Sequence, residues 1–183
     1  HGSSSAICGV PARARRPTPV ALELKVLAES PGAIGTCMAK GDEAAAGSSS
    51  HVHVSLGRDD ANAFAANADT FRWFLGGWMA HAQELAAFYA PTVNSYKRYA
   101  SLSWAPVNVV WGRDNRTTGF RLVGRGAGLH VEDRFPGGDM NAYLTYAAMM
   151  GAGLYGLEHE LPLDPEFKGN GYLATAVERM PRA

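Results

Sequence analysis

Cysteine is nearly absent from this 183-residue chain. Cys8 and Cys37 are its two, too few for a disulfide framework or a cysteine-based zinc motif. That usage fits a reducing compartment, and a cytoplasmic location is the expectation. Net charge is absent as well: Lys+Arg and Asp+Glu balance at 17 each, so no global field argues for nucleic acid or an anionic membrane as partner. No apolar run approaches the roughly 18 residues that a bilayer span needs, no apolar h-region marks a secretory signal, and there is no internal repeat. What is left, 46% hydrophobic and 19% charged residues, describes an ordinary globular protein long enough for one domain with a substantial core.

The first 35 residues fit that domain poorly. Residues 1–19 are rich in Gly, Ser and Pro, with Arg13, Arg15 and Arg16 clustered, and read as a disordered leader. Pro19 to Glu29 could form a short helix, with Leu22, Val26 and Leu27 on one side and Pro31-Gly32 to stop it. The expected organisation is therefore a leader over 1–35 and one domain over 36–183. Because the chain begins with His1, it is read as part of a longer or processed polypeptide.

The domain is organised around Gly47-Ser48-Ser49-Ser50-His51-Val52-His53-Val54-Ser55-Leu56, a loop of small residues running into a strand. Alternation puts His51, His53 and Ser55 on one face and Val52, Val54 and Leu56 on the other. The valine face suits a core; the other offers two imidazoles and a hydroxyl in a row, atoms that bind metals or hydrogen-bond. Thr36–Ala39 is a possible strand leading in. Downstream, Phe71, Phe74, Leu75, Trp78, Met79, Ala82 and Leu85 recur at helical spacing, a core stripe capped by Asp69 or Thr70 and ended by Pro91. Thr92–Pro106 is a long loop, of the kind that often carries function. Strands are expected at Val107–Trp111, Phe120–Val123 and Leu129–Phe135. A second long helix starts after Asp139 or Asn141 and runs to about Leu157, and a short one is possible near Ala174–Arg179.

Polar residues gather around those strands. Arg98, Arg116, Arg121 and Arg134 could bind planar anions at two points and stay charged when buried. Glu132 shares a strand face with Arg134 and His130; it is a hard oxygen donor suited to Mg²⁺ or Mn²⁺, and His51 could join it. One Glu, one or two His and several Arg on one face suit a metal–nucleotide phosphate beside a carboxylate substrate. The alternative is local pairing, Arg113 with Asp114 and Arg134 with Asp133. A zinc hydrolase built on His51-Val52-His53 would lack a third nitrogen ligand at a convincing spacing.

Gly47–Leu56, Asn94-Ser95-Tyr96-Lys97-Arg98, Ala105-Pro106, Asp114-Asn115-Arg116 with Arg121, and Val131-Glu132-Asp133-Arg134-Phe135-Pro136 resemble, in order and spacing, the catalytic-domain signatures of the glutamine synthetase family. The likeness runs from about Thr36 to Tyr172. Ser103-Trp104-Ala105-Pro106 and His130 to Asp139 look more like the γ-glutamyl-amine ligases acting on polyamines or ethanolamine than like ammonia-using synthetases. The resemblance implies an α+β fold: a curved, largely antiparallel sheet flanked by helices, here the C-terminal part of the catalytic domain. It also implies ATP-dependent ligation of glutamate to an amine through γ-glutamyl phosphate, with ATP and Mg²⁺ (or Mn²⁺) as cofactors and a homo-oligomeric intact protein. By position, His51 and Glu132 look like metal ligands and His53 and Ser55 like ATP contacts. Gly47 lies in the loop beside the glutamate site, and Arg98 and Arg134 resemble the residues holding glutamate's carboxylates. Arg116 and Arg121 resemble the phosphate-side, catalytic arginines.

Departures qualify the resemblance. Trp104 stands where ammonia-using members have a carboxylate, and is read as part of the amine site. His130 stands where many have another arginine, and Asn141-Ala142-Tyr143 replaces Asn-Pro-Tyr. The family draws further metal-binding glutamates from upstream sequence, whereas only Glu23, Glu29, Asp42 and Glu43 precede His51 here. Activity of this chain alone is therefore expected to be impaired, and a non-catalytic nucleotide-binding or assembly remnant is the rival expectation.

Overall fold

The computed structural model describes residues 5–7, 17–29, 31–58, 60–100 and 103–182. Its strands are β1 (Ser5–Ile7), β2 (Val52–Val54), β3 (Gly57–Arg58), β4 (Ala61–Asn62), β5 (Trp111–Arg113), β6 (Phe120–Val123) and β7 (His130–Asp133). Its helices are α1 (Pro17–Glu29), α2 (Ala63–Ala66), α3 (Ala68–Ala80), α4 (Ala82–Tyr89), α5 (Val93–Tyr96) and α6 (Ala142–Glu158). Of the leader, β1, α1 and residues 31–35 are described; residues 1–4, 8–16 and 30 lie outside the described residues.

The fold is α+β. Five strands form one sheet in the order β1-β2-β7-β6-β5, antiparallel at its centre (β2–β7 and β7–β6) and parallel at its two edges. Register decides what this sheet can do. Val54, Val131 and Leu122 are paired in one row and turn into the core, while the neighbouring row pairs His53, Glu132 and Arg121. Alternation therefore builds an apolar face and a charged face from the same three strands.

Helices α3, α4 and α6 cover the apolar face. Val52, Val54, Val131, Phe120 and Leu122 pack with Phe74, Trp78, Tyr89 and Met149 in one cluster. The helical stripe expected from Asp69 onward is broken into α3 and α4 at His81, which leaves helical backbone geometry (φ −108°, ψ 15°) and sets its ring edge-on to Tyr155. Asn67, not Asp69 or Thr70, caps α3: its side-chain oxygen accepts from the N–H groups of those two residues. Asn141 caps α6 in the same way.

At the crossing of α3 and α6 the backbones touch. A Cβ on Gly77 would lie 2.4 Å from both the Ala152 carbonyl oxygen and the Gly156 Cα, and one on Gly156 would lie 2.2 Å from the Trp73 carbonyl oxygen. Only backbone stands in the way, so no side-chain rotation relieves the clash. Gly77→Ala is expected to cost about 1–3 kcal/mol, lowering the melting temperature by several degrees. Gly151→Ala, on the open side of α6 with nothing near its Cβ, should be neutral or slightly stabilising. Thermal unfolding of the two variants checks the contrast.

Three local expectations need correction. Thr36–Ala39 is not a strand. The run from Val107 is not one either, apart from Trp111: Val109 donates to the Glu178 carbonyl and Met180 donates to the Val107 carbonyl, each at 2.8 Å. The apolar residues there zip to the C-terminal segment instead of the sheet. That pairing also replaces the helix expected over Ala174–Arg179; the helical turn in the tail is at Gly171–Leu173, capped by Asn170.

Candidate active site

The charged face of the sheet centres on one carboxylate. Glu132 is buried on β7, with its Oε1 3.0 Å from His51 Nδ1 and 3.4 Å from Arg134 Nη1, and its Oε2 accepting from Arg121 Nη1 at 3.0 Å. His51 comes from just before β2, Arg121 from β6, and Arg134 from the residue after β7. Burial alone would raise the Glu132 carboxyl, but bonds to His51 and Arg121 and the charge of Arg134 outweigh it and hold it at about 2. The carboxylate is a fixed anion among cations.

His53, one register step along, points its Nε2 at the same Oε1 from 3.9 Å, too far for a hydrogen bond, and that nitrogen is buried without a partner. Its ring stands 5.0 Å from that of His130. Burial chiefly, with His130, His51 and Arg121 adding to it, lowers its pKa against the pull of Glu132. A neutral imidazole with an orphaned nitrogen is a ready acceptor or ligand. Ser55 continues this edge, half-buried.

The donor set suits a hard divalent cation in part. His51 and Glu132 would hold it, with His53 behind them. Among the described residues no three His, Cys, Asp or Glu side chains are arranged to hold a metal by themselves, so further oxygens must come from phosphate groups, water or other chain.

The remaining expected residues are more scattered. A Cβ on Gly47 would meet the Ala39 carbonyl oxygen at 2.7 Å and Arg98 Cγ at 2.8 Å, so only glycine lets the loop lie this close. Arg98 is buried and donates to the backbone carbonyls of Arg134 and Phe135; in this structure it braces the Arg134 backbone and does not face the open cluster. Arg116 is exposed on the turn before β6 and makes none of the cluster's contacts. Trp104 is 77% exposed on a left-handed backbone (φ 63°), and its carbonyl accepts from the Tyr172 hydroxyl.

The local pairings considered from sequence are not formed. Asp114 pairs with Arg121 Nη2 at 3.4 Å and not with Arg113, because β5 and β6 lie side by side. Asp133 cannot pair with Arg134: it points into the core, where burial pushes its carboxyl up to about 7 against the Phe135 N–H and the nearby Tyr89 hydroxyl and Arg98. Sequence reasoning also missed Asn94 as a clamp. Its amide donates to the Lys40 carbonyl at 2.6 Å while its oxygen accepts from the Lys40 N–H at 3.1 Å, tying the loop before Gly47 to α5.

The glutamine synthetase catalytic-domain profile matches residues 21–183. The chain belongs to the glutamine synthetase family. Its relatives include the γ-glutamylethanolamide synthetase of Streptomyces coelicolor, 44% identical over 154 residues, which are 82% of this chain and 33% of that protein. The glutamate–isopropylamine ligase of a Pseudomonas species is 42% identical, over 81% of this chain and 34% of that one. The solved structure of GmaS without ligand superposes with a TM-score of 0.81 at 32% identity, covering 92% of this chain and 41% of that one; its ADP complex gives 0.83. The chain thus spans about a third of the length of these curated relatives.

Proposed function

We propose that the protein carrying this chain joins glutamate to a small amine with consumption of ATP, and that the Glu132 cluster is where phosphate charge is managed. The observation that carries the reading is the paired row His53–Glu132–Arg121, with His51 and Arg134 closing on the same carboxylate. In such a ligase a glutamate carboxylate takes a phosphoryl group and an amine then displaces phosphate. A bound Mg²⁺ or Mn²⁺ would neutralise and orient the nucleotide phosphates. The chain's own part is to hold that ion through His51 and Glu132 and to place Arg121, with Arg116, as fixed cations beside the transferring group. His53 and Ser55 would contact ATP; Gly47, Arg98 and Arg134 would shape the glutamate site. Names of the relatives, an ethanolamide synthetase, an isopropylamine ligase and the γ-glutamylputrescine synthetase of Escherichia coli, support an amine substrate. A homo-oligomer in the cytoplasm is part of this reading; among the described residues no helix is long and apolar enough to cross a membrane.

Two outcomes test it on the protein at its natural length. Arg134→Lys should lower kcat/KM for glutamate roughly tenfold to a hundredfold, because lysine keeps the charge but not the planar two-point donor, a loss of about 1.5–3 kcal/mol. Unchanged glutamate dependence would leave Arg134 as an ion-pair partner of Glu132 and nothing more. Trp104 offers an exposed indole face, which suits an alkyl chain and its ammonium end but cannot deprotonate ammonium. The wild type should therefore prefer ethanolamine or putrescine to ammonium in kcat/KM, and Trp104→Glu should narrow that preference. Ammonium winning, with Trp104→Glu leaving the ranking untouched, would contradict the assignment. Two protein donors for the metal also suit a nucleotide-binding chain without turnover; formation of the amide separates the two readings.

A further inference from the structure

Trp104 shares a cleft with a carboxylate that nothing in the motif pattern singles out. The cleft, about 420 Å³, is bounded on one side by Lys40 and Glu43–Ala46 and on the other by Lys97, Ala100, Ser103 and Trp104. That volume lies within the usual range for small-molecule sites, and four of its nine lining residues are alanine.

The loop that carries Glu43 is held in place. It is closed at the base by the Asn94 clamp on Lys40 and by the Ser48 N–H on the Ala39 carbonyl. Buried Lys40 reaches across the loop to the Ala45 carbonyl, and Asp42 Oδ1 accepts from the Ala44 N–H at 2.8 Å. The Glu43 carboxylate bonds Lys97 Nζ at 3.1 Å, in a pair with side chains 84% and 48% exposed. Exposed pairs of this kind contribute little, so an incoming cation can share the carboxylate or take it over. Opposite, the Trp104 backbone is held in the left-handed region, uncommon for a bulky residue and typical of functional sites when it occurs.

We propose that Glu43 selects the amine: its carboxylate takes the ammonium end of a small primary alkylammonium ion whose carbon chain lies on Trp104 and the alanine walls. An anion and an indole lining one cleft can together recognise a short organic cation and turn away its uncharged isostere. For the fate of the bound amine the proposal rests on the amine-ligase reading, while binding itself stands apart from it.

The test uses the protein at its natural length and propylammonium at constant ionic strength, followed by the tryptophan fluorescence that Trp104→Phe removes. Saturable quenching is expected, weakened roughly tenfold or more in Glu43→Gln, with propanol at the same concentrations giving none. Lys97→Ala, which frees the carboxylate, should bind at least as tightly. No saturable change in the wild type, equal binding by Glu43→Gln, or an equal response to propanol would overturn the proposal. In the natural-length protein Glu43→Gln should raise the KM for propylamine by a similar factor and leave that for glutamate unchanged. Amide formation with an unaltered amine KM would remove Glu43 and keep the function; binding as expected without any amide would remove the function and keep the site.

Discussion

Glu132→Ala is expected to lower the stability of the domain by about 3–5 kcal/mol, about 10 °C or more in melting temperature. The cause is what the carboxylate leaves behind. Arg121 and Arg134 are nearly buried and both bond Glu132, so its removal strands two cations in a poorly solvated site. Holding the carboxyl at about 2 against an ordinary 4.5 corresponds to about 3 kcal/mol by linkage, which agrees in size. A depressed carboxylate contributes fully above about pH 4.5 and loses its contribution as pH falls toward 2. The gap between wild type and Glu132→Gln, whose amide oxygen can still accept from arginine, should be widest at neutral pH and narrow steadily from pH 5 to 3. Urea unfolding across that range reads it directly. A gap independent of pH would mean that Glu132 acts by packing and not by charge.

Asp133, the next residue, should show the opposite slope. Strand alternation turns it into the core, its Oδ2 buried without a hydrogen-bond partner and its carboxyl raised to about 7 from 3.8. A raised carboxyl favours the folded state below the unfolded value, and that advantage is lost as pH rises from about 4 through 7. Asp133→Asn keeps an oxygen for the Phe135 N–H, which now bonds Oδ1 at 2.9 Å, and has no charge to desolvate. The variant should match the wild type near pH 4 and exceed it at pH 8 by a few kcal/mol, on the order of 1.4 kcal/mol for each pH unit between the two values. Melting temperatures at pH 4, 6 and 8 would show the curves diverging upward. Divergence in the other direction would mean that Arg98 needs the Asp133 charge more than burial penalises it.

Much of the site was legible because it rests on short-range periodicity. Alternation from His51 to Val54 and from Val131 to Arg134 separates apolar from charged residues without knowledge of the sheet. Once β2, β6 and β7 are neighbours, His53, Glu132 and Arg121 must meet in one row. What sequence could not show depends on distant partners. Val107 and Val109 read as strand residues, but the partner that satisfies them is some seventy residues away in the chain's tail. Arg98 reads as an anion-binding arginine, and the carbonyls of residues 134 and 135 to which its guanidinium donates lie too far along the chain to be foreseen. Asn67 as cap and His81 as break were hidden because local patterns place helix ends within a few residues at best. Glu43 belongs to no recognisable motif, and only the folded loop brings it to the cleft that Trp104 also lines.

The proposed role of the Glu132 cluster is in ATP-dependent joining of glutamate to an amine. Its most direct test is mass-spectrometric detection of the γ-glutamyl amide, with phosphate release measured in the same tube. The protein at its natural length would be supplied with ATP, Mg²⁺, glutamate and ethanolamine, beside its Glu132→Gln variant. Equal amounts of amide and phosphate are expected from the wild type, and at least a hundredfold less of both from the variant. Phosphate without amide, or amide formation that survives Glu132→Gln undiminished, would contradict the account.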